Sequence, residues 1–177
     1  MLLLLFPLNL SADERAWQAW RDGDAILMMR HALAPGTGDP AGFVLKDCST
    51  QRNLNEGGRQ QAQAWGRLLQ QQTQDSVQIY SSQWCRCLET GQLMALSVVE
   101  PLPLLNSFFA GRGDGQAQTS ALRAFLAQAP FSSPTVLISH QVNITALTGI
   151  FPASGEGLLI ALPLTEPVTV LARVWPE

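Results

Sequence analysis

The sequence predicts an α/β protein, a three-layer α/β/α sandwich around a mainly parallel sheet. Apolar runs of strand length occur at residues 24–31, 77–81 and 135–140, and each is followed by a polar or glycine-rich stretch. Unbroken runs such as the first and third are typical of strands buried on both faces. Two further runs, at residues 158–162 and 168–174, are separated by prolines and predict a closing hairpin. The alternation of strands and helices predicts the α/β fold class.

Segments with helical spacing of apolar residues lie between these strands. They are residues 13–21, 55–71, 82–96, 121–126 and 143–147. Trp17 and Trp20 give the first helix one apolar face, and Asn55 is a good N-cap for the second.

Two long loops interrupt the pattern. Residues 34–51 contain prolines and glycines and have no periodicity, which is typical of a functional or disordered loop. A second loop, residues 101–115, carries Phe108 and Phe109. These rings either anchor the loop or line a cleft, and anchoring is the simpler interpretation.

Length and composition point to one domain over residues 1–177. The chain has a mass of 19.2 kDa and is 46% apolar, which is enough for a substantial core. A net charge of −3, with Lys46 as its single lysine, argues against a basic face for nucleic acid. Two histidines without metal-ligand spacing also argue against a metal site.

The amino terminus, residues 1–12, is apolar, lacks a basic start and is too short to cross a bilayer. It predicts the remnant of an export signal, and so a periplasmic or exported protein rather than a cytoplasmic one. The alternative is a segment packed on the domain. No transmembrane segment is expected.

Three cysteines, Cys48, Cys85 and Cys87, are too few for a disulfide scaffold. In an oxidising compartment they allow one bridge and one free thiol. Cys85 and Cys87 are only two residues apart and form a poor pair, so Cys48 is the expected partner.

The two histidines of the chain, His31 and His140, each directly follow a predicted strand. Arg30 and Arg86 stand at equivalent strand-end positions. Parallel neighbouring strands would point all four side chains into one cleft at the carboxyl edge of the sheet. Guanidinium groups suit phosphate oxygens, and imidazole is a donor or a nucleophile at neutral pH. The alternative is structural, with the four residues as polar caps on core strands.

Four segments carry a resemblance to a known family: residues 27–31 (LMMRH), 53–62 (NLNEGGRQQA), 79–90 (IYSSQWCRCLET) and 136–140 (VLISH). In this order they resemble the histidine phosphatase superfamily, the phosphoglycerate-mutase-like phosphatases of branch 1 type. The resemblance extends over about residues 24–162 and implies a phosphoglycerate-mutase-like fold.

The resemblance implies a metal-independent phosphomonoester hydrolase without a cofactor. His31 would attack phosphorus and become phosphohistidine, while Arg30, Arg86 and His140 would hold the phosphoryl oxygens. The substrate would be a small phosphorylated molecule or a phosphoprotein. Phosphoryl transfer needs mainly alignment and charge neutralisation, which these four groups can provide.

The sequence departs from the family at two places. Ala32 and Leu33 stand where the family often has Gly and then Glu, and Gln141 stands where one branch carries an acidic residue. We therefore expect a different loop packing after His31 and an unassigned general acid.

By loop position, the candidates for the general acid are Asp39, Asp114 and Glu156, each of which could equally be an ordinary solvated carboxylate. Two other functions remain open on the sequence. One is a non-catalytic phosphate-binding module, and the other is a phosphotransferase or mutase of the same family.

Overall fold

The computed structural model describes residues 11–128 and 130–176. The strands are β1 (Ala25–Arg30), β2 (Gln78–Ser81), β3 (Val99–Pro101), β4 (Thr135–Ser139), β5 (Gly157–Ala161) and β6 (Val170–Val174). The helices are α1 (Ala12–Arg21), α2 (Glu56–Gln72), α3 (Cys85–Met94), α4 (Gly115–Leu126) and α5 (Gln141–Thr148). The segment 1–10, most of the expected export remnant, lies outside the described residues.

One six-stranded sheet has the order β3-β2-β4-β1-β5-β6. The first four strands in this order are parallel. At the other edge, β5 runs antiparallel to β1, and β6 runs antiparallel to β5. The mainly parallel sheet and the closing hairpin are thus confirmed. The strand β3 was not predicted, because it has only three residues, ends on Pro101 and lies at an edge of the sheet.

Strand β1 is buried on both faces because helices cover both sides of the sheet. Leu27 and Met29 belong to a cluster with Trp20 and Trp65, from α1 and α2. Ile26 and Met28 pack in a second cluster, together with residues of α4 and α5. Each fully buried side chain of this size stabilises the fold by roughly 1.5–3 kcal/mol. This packing explains the unbroken apolar run and confirms the α/β/α layering.

Two glycines of α2 bring this helix close to the elements that carry the site. A Cβ at Gly58 would lie 2.1 Å from the carbonyl oxygen of Leu33, just after β1. A Cβ at Gly66 would lie 2.2 Å from the carbonyl oxygen of Met94, the last residue of α3. Any larger residue would push α2 away from both neighbours.

The observed helix boundaries agree with the predicted ones where a capping residue directly precedes the helix. Asn55 caps α2, with its side chain accepting from Gly58 N at 2.8 Å. Helix α3 starts at Cys85, three residues later than predicted, and the Ser82 hydroxyl lies before it, 2.8 Å from His140 Nε2. No helix within 11–128 and 130–176 is long and apolar enough to cross a membrane.

Candidate active site

The carboxyl ends of β1 and β4 bring the two histidines together. The strands are parallel neighbours with Arg30 opposite Ser139, and His31 N donates to Ser139 O at 3.0 Å. The ring centroids of His31 and His140 lie 5.5 Å apart. The strand order therefore produces the convergence that the strand ends predicted.

His31 is held as a neutral imidazole with one unprotonated nitrogen. Its Nδ1 lies 2.8 Å from Ala32 O and must donate to it, because a carbonyl only accepts. Arg86 Nε donates to His31 Nε2 at 3.2 Å, which requires a lone pair there. Burial, and then the charge of Arg86, lower the pKa of His31 well below 6.5. The unprotonated Nε2 is the nitrogen that could attack phosphorus.

His140 has the opposite tautomer. Arg86 Nη2 lies 3.5 Å from its Nδ1, and Ser82 Oγ lies 2.8 Å from its Nε2. Since a guanidinium only donates, Nδ1 accepts and Nε2 carries the hydrogen given to Ser82. Ser82 Oγ in turn donates to Asn106 Oδ1 at 3.2 Å. Burial, followed by His31, lowers the pKa of His140 well below 6.5.

The Ser82–Asn106 pair was not predicted as part of the site. Asn106 Oδ1 also accepts from Gln83 N at 2.8 Å, so its amide orientation is determined by the backbone. The sequence shows two adjacent serines at the end of β2. Because residues 82–96 have helical spacing, Ser82 is predicted to begin a helix and not to belong to the site.

Arg86 lies in the first turn of α3 and is paired with Asp39. Its Nη1 is 2.6 Å from Asp39 Oδ1, and its Nη2 is 3.3 Å from Asp39 Oδ2. Trp84 Nε1 also donates to Asp39 Oδ2, at 3.0 Å. Burial raises the pKa of Asp39, but the hydrogen bonds from Arg86 and Trp84 outweigh it, so the pKa is lower than usual. Asp39 is therefore ionised in this arrangement.

Two further arginines border the same space. Arg30 Nη1 donates to Pro152 O at 3.0 Å, and its buried Nε has no hydrogen-bond partner among the described residues. Arg52 Nε donates to Gly38 O at 2.8 Å, and its Nη1 donates to Ala34 O. Burial and the charge of Arg86 lower the pKa of Arg52 to about 10. Both arginines remain cationic at neutral pH.

Arg52 could not be predicted as a site residue from the sequence, because it lies at no strand end and in no recognised motif. Its side chain closes the turn from Ala34 to Gly38, in which Gly36 and Gly38 have φ of +94° and +69°. Only the length and the glycine content of the loop indicate that its residues could belong to the site.

These groups surround a cavity of about 360 Å³. Arg30, His31, Arg52, Arg86 and His140 line it together with Asp39. The rest of the lining comprises Gly36, Thr37, Gly38, Ser107, Phe109, Ala110, Arg112, Gln141, Val142 and Phe151. Three guanidiniums against one carboxylate give this part of the cavity a net positive charge, which favours an anionic ligand.

The structure separates the three candidate acids. Asp39 lines the cavity, whereas Asp114 caps α4, accepting from Gln116 N at 2.9 Å and Ala117 N at 3.0 Å. Glu156 is fully buried and accepts from Ala153 N at 2.7 Å and from Arg173. Asp114 and Glu156 have structural partners outside the cavity lining.

A disulfide joins Cys48 to Cys85, and Cys87 is a free, buried thiol. The bridge connects the loop that carries Asp39 and Arg52 to the residue before Arg86. Burial raises the pKa of Cys87 to about 12, so this thiol is protonated at neutral pH. Within the described part of the chain, this site included, no group of three or more His, Cys, Asp or Glu side chains could hold a metal ion.

This fold and this cavity define a class of protein. A family model, the histidine phosphatase superfamily (branch 1), matches residues 26–130, more than half of the chain. The chain belongs to this superfamily. The match includes Arg30, His31 and Arg86 and ends before His140, which the parallel pairing of β1 and β4 brings to the site. No curated protein sequence matches the chain.

Solved structures share the fold at low identity. The protein histidine phosphatase SixA, complexed with tungstate, is 20% identical with a TM-score of 0.57, over 86% of this chain and 97% of that one. A mycobacterial glucosyl-3-phosphoglycerate phosphatase, with inorganic phosphate, is 19% identical with a TM-score of 0.55, over 87% and 97%. The product of a Mycobacterium tuberculosis open reading frame is 18% identical with a TM-score of 0.58, over 86% and 96%.

Proposed function

We propose that this protein is a phosphomonoester hydrolase that acts through a phosphohistidine on His31. The observation that carries the proposal is the pairing of His31 Nε2 with Arg86 Nε at 3.2 Å, inside a cationic cavity. A nucleophilic lone pair next to a guanidinium is the arrangement that an incoming phosphoryl group requires.

In the first step, His31 Nε2 forms a bond to phosphorus and the ester P–O bond breaks. The leaving oxygen takes a proton. In the second step, water attacks phosphorus, the P–N bond breaks, and inorganic phosphate leaves. The proton that the attacking water loses replaces the one that the leaving oxygen took in the first step. Arg30, Arg86 and His140 would hold the phosphoryl oxygens throughout, and we add Arg52 as a further cation at the cavity.

His140 would change its protonation state during the cycle. Its Nδ1 is an acceptor next to Arg86 in the structure. A phosphate dianion at this position favours the protonated imidazole, because it adds an opposite charge and an acceptor. His140 would then donate through Nδ1 to a phosphoryl oxygen while Nε2 keeps its bond to Ser82.

For the general acid we retain Asp39 alone. It is the one carboxylate in the cavity lining of the described chain. Its pairing with Arg86 keeps it ionised, so it could act as the general acid only if the phosphoryl group displaces it from the guanidinium and it then takes up a proton from solvent. Substrates with poor leaving groups would depend on this exchange most strongly.

The same Asp39–Arg86 pair favours a second candidate function, a phosphate-binding module without efficient turnover. In that case the cavity would bind phosphate or vanadate, but no phosphohistidine would form. The two functions therefore differ in one measurable intermediate.

The experiment is a panel of phosphomonoesters, including a phosphoprotein and a sugar phosphate, assayed with a chelator present. We expect phosphate release by the wild type and none by His31→Ala. An acid-labile, base-stable phosphoenzyme should be trapped from a labelled substrate in the wild type only. The exposed Arg67→Ala serves as a control with unchanged release. A fully active His31→Ala would refute the proposal, and phosphate binding without trapped phosphohistidine would favour the binding module.

A further inference from the structure

The mouth of the cavity carries two exposed aromatic rings. Phe109 is 42% exposed and Phe151 is 68% exposed, and both line the cavity. The described residues include seven exposed large hydrophobic side chains: Leu33, Val44, Val98, Phe109, Phe151, Leu171 and Trp175. The two that line the cavity are the two phenylalanines. Exposed rings grouped at an opening mark a contact surface more than scattered ones do.

Each ring is connected to the groups that surround the proposed phosphoryl position. Phe109 lies next to Gly38, since a Cβ built there would be 3.6 Å from its ring, and Gly38 precedes Asp39. Phe151 precedes Pro152, whose carbonyl oxygen accepts from Arg30. A group attached to a bound phosphoryl oxygen would therefore meet these rings as it leaves the cavity.

Two polar side chains of the outer lining are partly engaged within the protein. Gln141 Nε2 donates to Thr145 Oγ1 at 2.9 Å, and Ser107 Oγ accepts from Phe109 N at 3.2 Å. An apolar group at the mouth needs no polar partner, so it does not compete with these bonds.

The charge of the mouth disfavours a cationic leaving group. Arg112 lines the cavity, and its guanidinium lies 4.3 Å from the centre of the Phe43 ring. Asp39 is the one acidic residue in the lining, and Arg86 already occupies it. The positive charge of the lining therefore disfavours an ammonium group at the mouth.

The leaving-group chemistry points the same way. Asp39 has no proton to donate while it is ionised in its pair with Arg86, and an alkoxide leaving group needs protonation far more than a phenoxide does. Phenolic oxygens leave readily because a phenol is much more acidic than an alkanol.

We propose that Phe109 and Phe151 form a subsite for an apolar, planar leaving group, so that aryl phosphomonoesters are the preferred substrate class. The inference rests on the proposed function for its chemistry, but the subsite itself is a binding property. It can therefore be measured without turnover.

The test compares the binding of benzylphosphonate and methylphosphonate by titration calorimetry. Neither is an ester, so leaving-group acidity does not enter. We expect benzylphosphonate to bind about tenfold more tightly to the wild type, because a phenyl ring is buried. In Phe109→Ala/Phe151→Ala the ratio should fall below about threefold, while Leu171→Ala, an exposed apolar change outside the cavity lining, should keep it. 2-Aminoethylphosphonate should bind no more tightly than methylphosphonate.

Equal binding of the first two phosphonates by the wild type would overturn the subsite. So would a preference that survives in the double variant, or no binding of either ligand. A ring-dependent preference together with no phosphate release from phenyl phosphate would support the subsite and refute the phosphatase. Failure of the inference and failure of the proposed function are thus distinguished.

Discussion

Arg86 Nη1 lies 2.6 Å from Asp39 Oδ1, so the central guanidinium of the candidate site is already bound to a carboxylate. The Asp39 side chain is only 5% exposed, which places this pair within the protein rather than in bulk water. A phosphoryl group that binds Arg86 must displace or share this carboxylate. The affinity for phosphate is therefore set partly by a residue of the same charge.

Asp39→Asn removes that competing charge and keeps a similar shape. We expect inorganic phosphate or vanadate to bind about tenfold more tightly, because a charge-assisted hydrogen bond no longer competes for Arg86. Turnover of alkyl phosphates should fall by about 10²-fold, the typical contribution of a general acid, and that of phenyl phosphate much less. Titration calorimetry and steady-state kinetics measure the two effects. Asp114→Asn, which can still cap α4, should change neither.

Weaker phosphate binding in Asp39→Asn would show that Asp39 helps to orient Arg86 rather than competing with its ligand. An equal loss of rate for alkyl and aryl esters would exclude Asp39 as the general acid.

Ser82→Ala removes the acceptor that holds His140 Nε2–H. We expect the alkaline limb of the kcat profile to move to lower pH, since the protonated imidazole loses a hydrogen bond that stabilises it. A shift of about one pH unit corresponds to about 1.4 kcal/mol. The pH dependence of phenyl phosphate hydrolysis measures the shift. The exposed Ser76→Ala should leave the profile unchanged. A lower rate with an unmoved profile would assign Ser82 a packing role only.

The two buried histidines should make the fold sensitive to mild acid. Burial holds the pKa values of His31 and His140 well below the ordinary 6.5, so below pH 6.5 the unfolded chain binds protons that the folded chain does not. The stability is thus fully present above about pH 6.5 and is lost as the pH falls, by up to about 1.4 kcal/mol per histidine per pH unit. The lowered pKa of Asp39 acts in the same direction, at lower pH.

Scanning calorimetry at pH 7.5 and 5.5, in buffers without phosphate, should show this loss as a lower Tm at pH 5.5. His140→Gln should retain about half of the dependence, because one titrating imidazole remains. Saturating phosphate should reduce the dependence by favouring protonated His140. A Tm independent of pH over this range would contradict the buried neutral imidazoles.

The Cys48–Cys85 bridge ties the loop of Asp39 and Arg52 to the start of α3. We expect Cys48→Ser/Cys85→Ser to lose about 2–4 kcal/mol of stability, as is typical for a native disulfide. The affinity for phosphate should also fall, because Arg52 and Arg86 are no longer held together by this link. Denaturant unfolding and calorimetry measure the two losses.

Reductant supplies the matched control for the bridge. It should reproduce both losses in the wild type and have no further effect on the double serine variant. Equal stability of the wild type with and without reductant would show that the bridge contributes nothing to the fold.

Much of the architecture could be predicted from the sequence because the signals are local. The apolar run of β1 predicts a strand with helices on both sides, and Asn55 predicts the start of α2. The prolines around residues 163–167 predict the turn between β5 and β6. The edge strand β3 and the late start of α3 had no such signal. A three-residue strand has no periodicity, and the bond from Ser82 to His140 spans 58 residues.

By itself, the sequence determined the ends of β1 and β4, and with them the positions of Arg30, His31 and His140. Arg86 lies beyond the end of β2, in the first turn of α3. Only the tertiary structure decided which groups meet there. The parallel order β2-β4-β1 brings these ends side by side, and the loop before α2 folds back to place Asp39 and Arg52 on Arg86. Periodicity and caps act within a few residues, whereas strand order and loop closure depend on contacts between distant segments, which the local pattern does not encode.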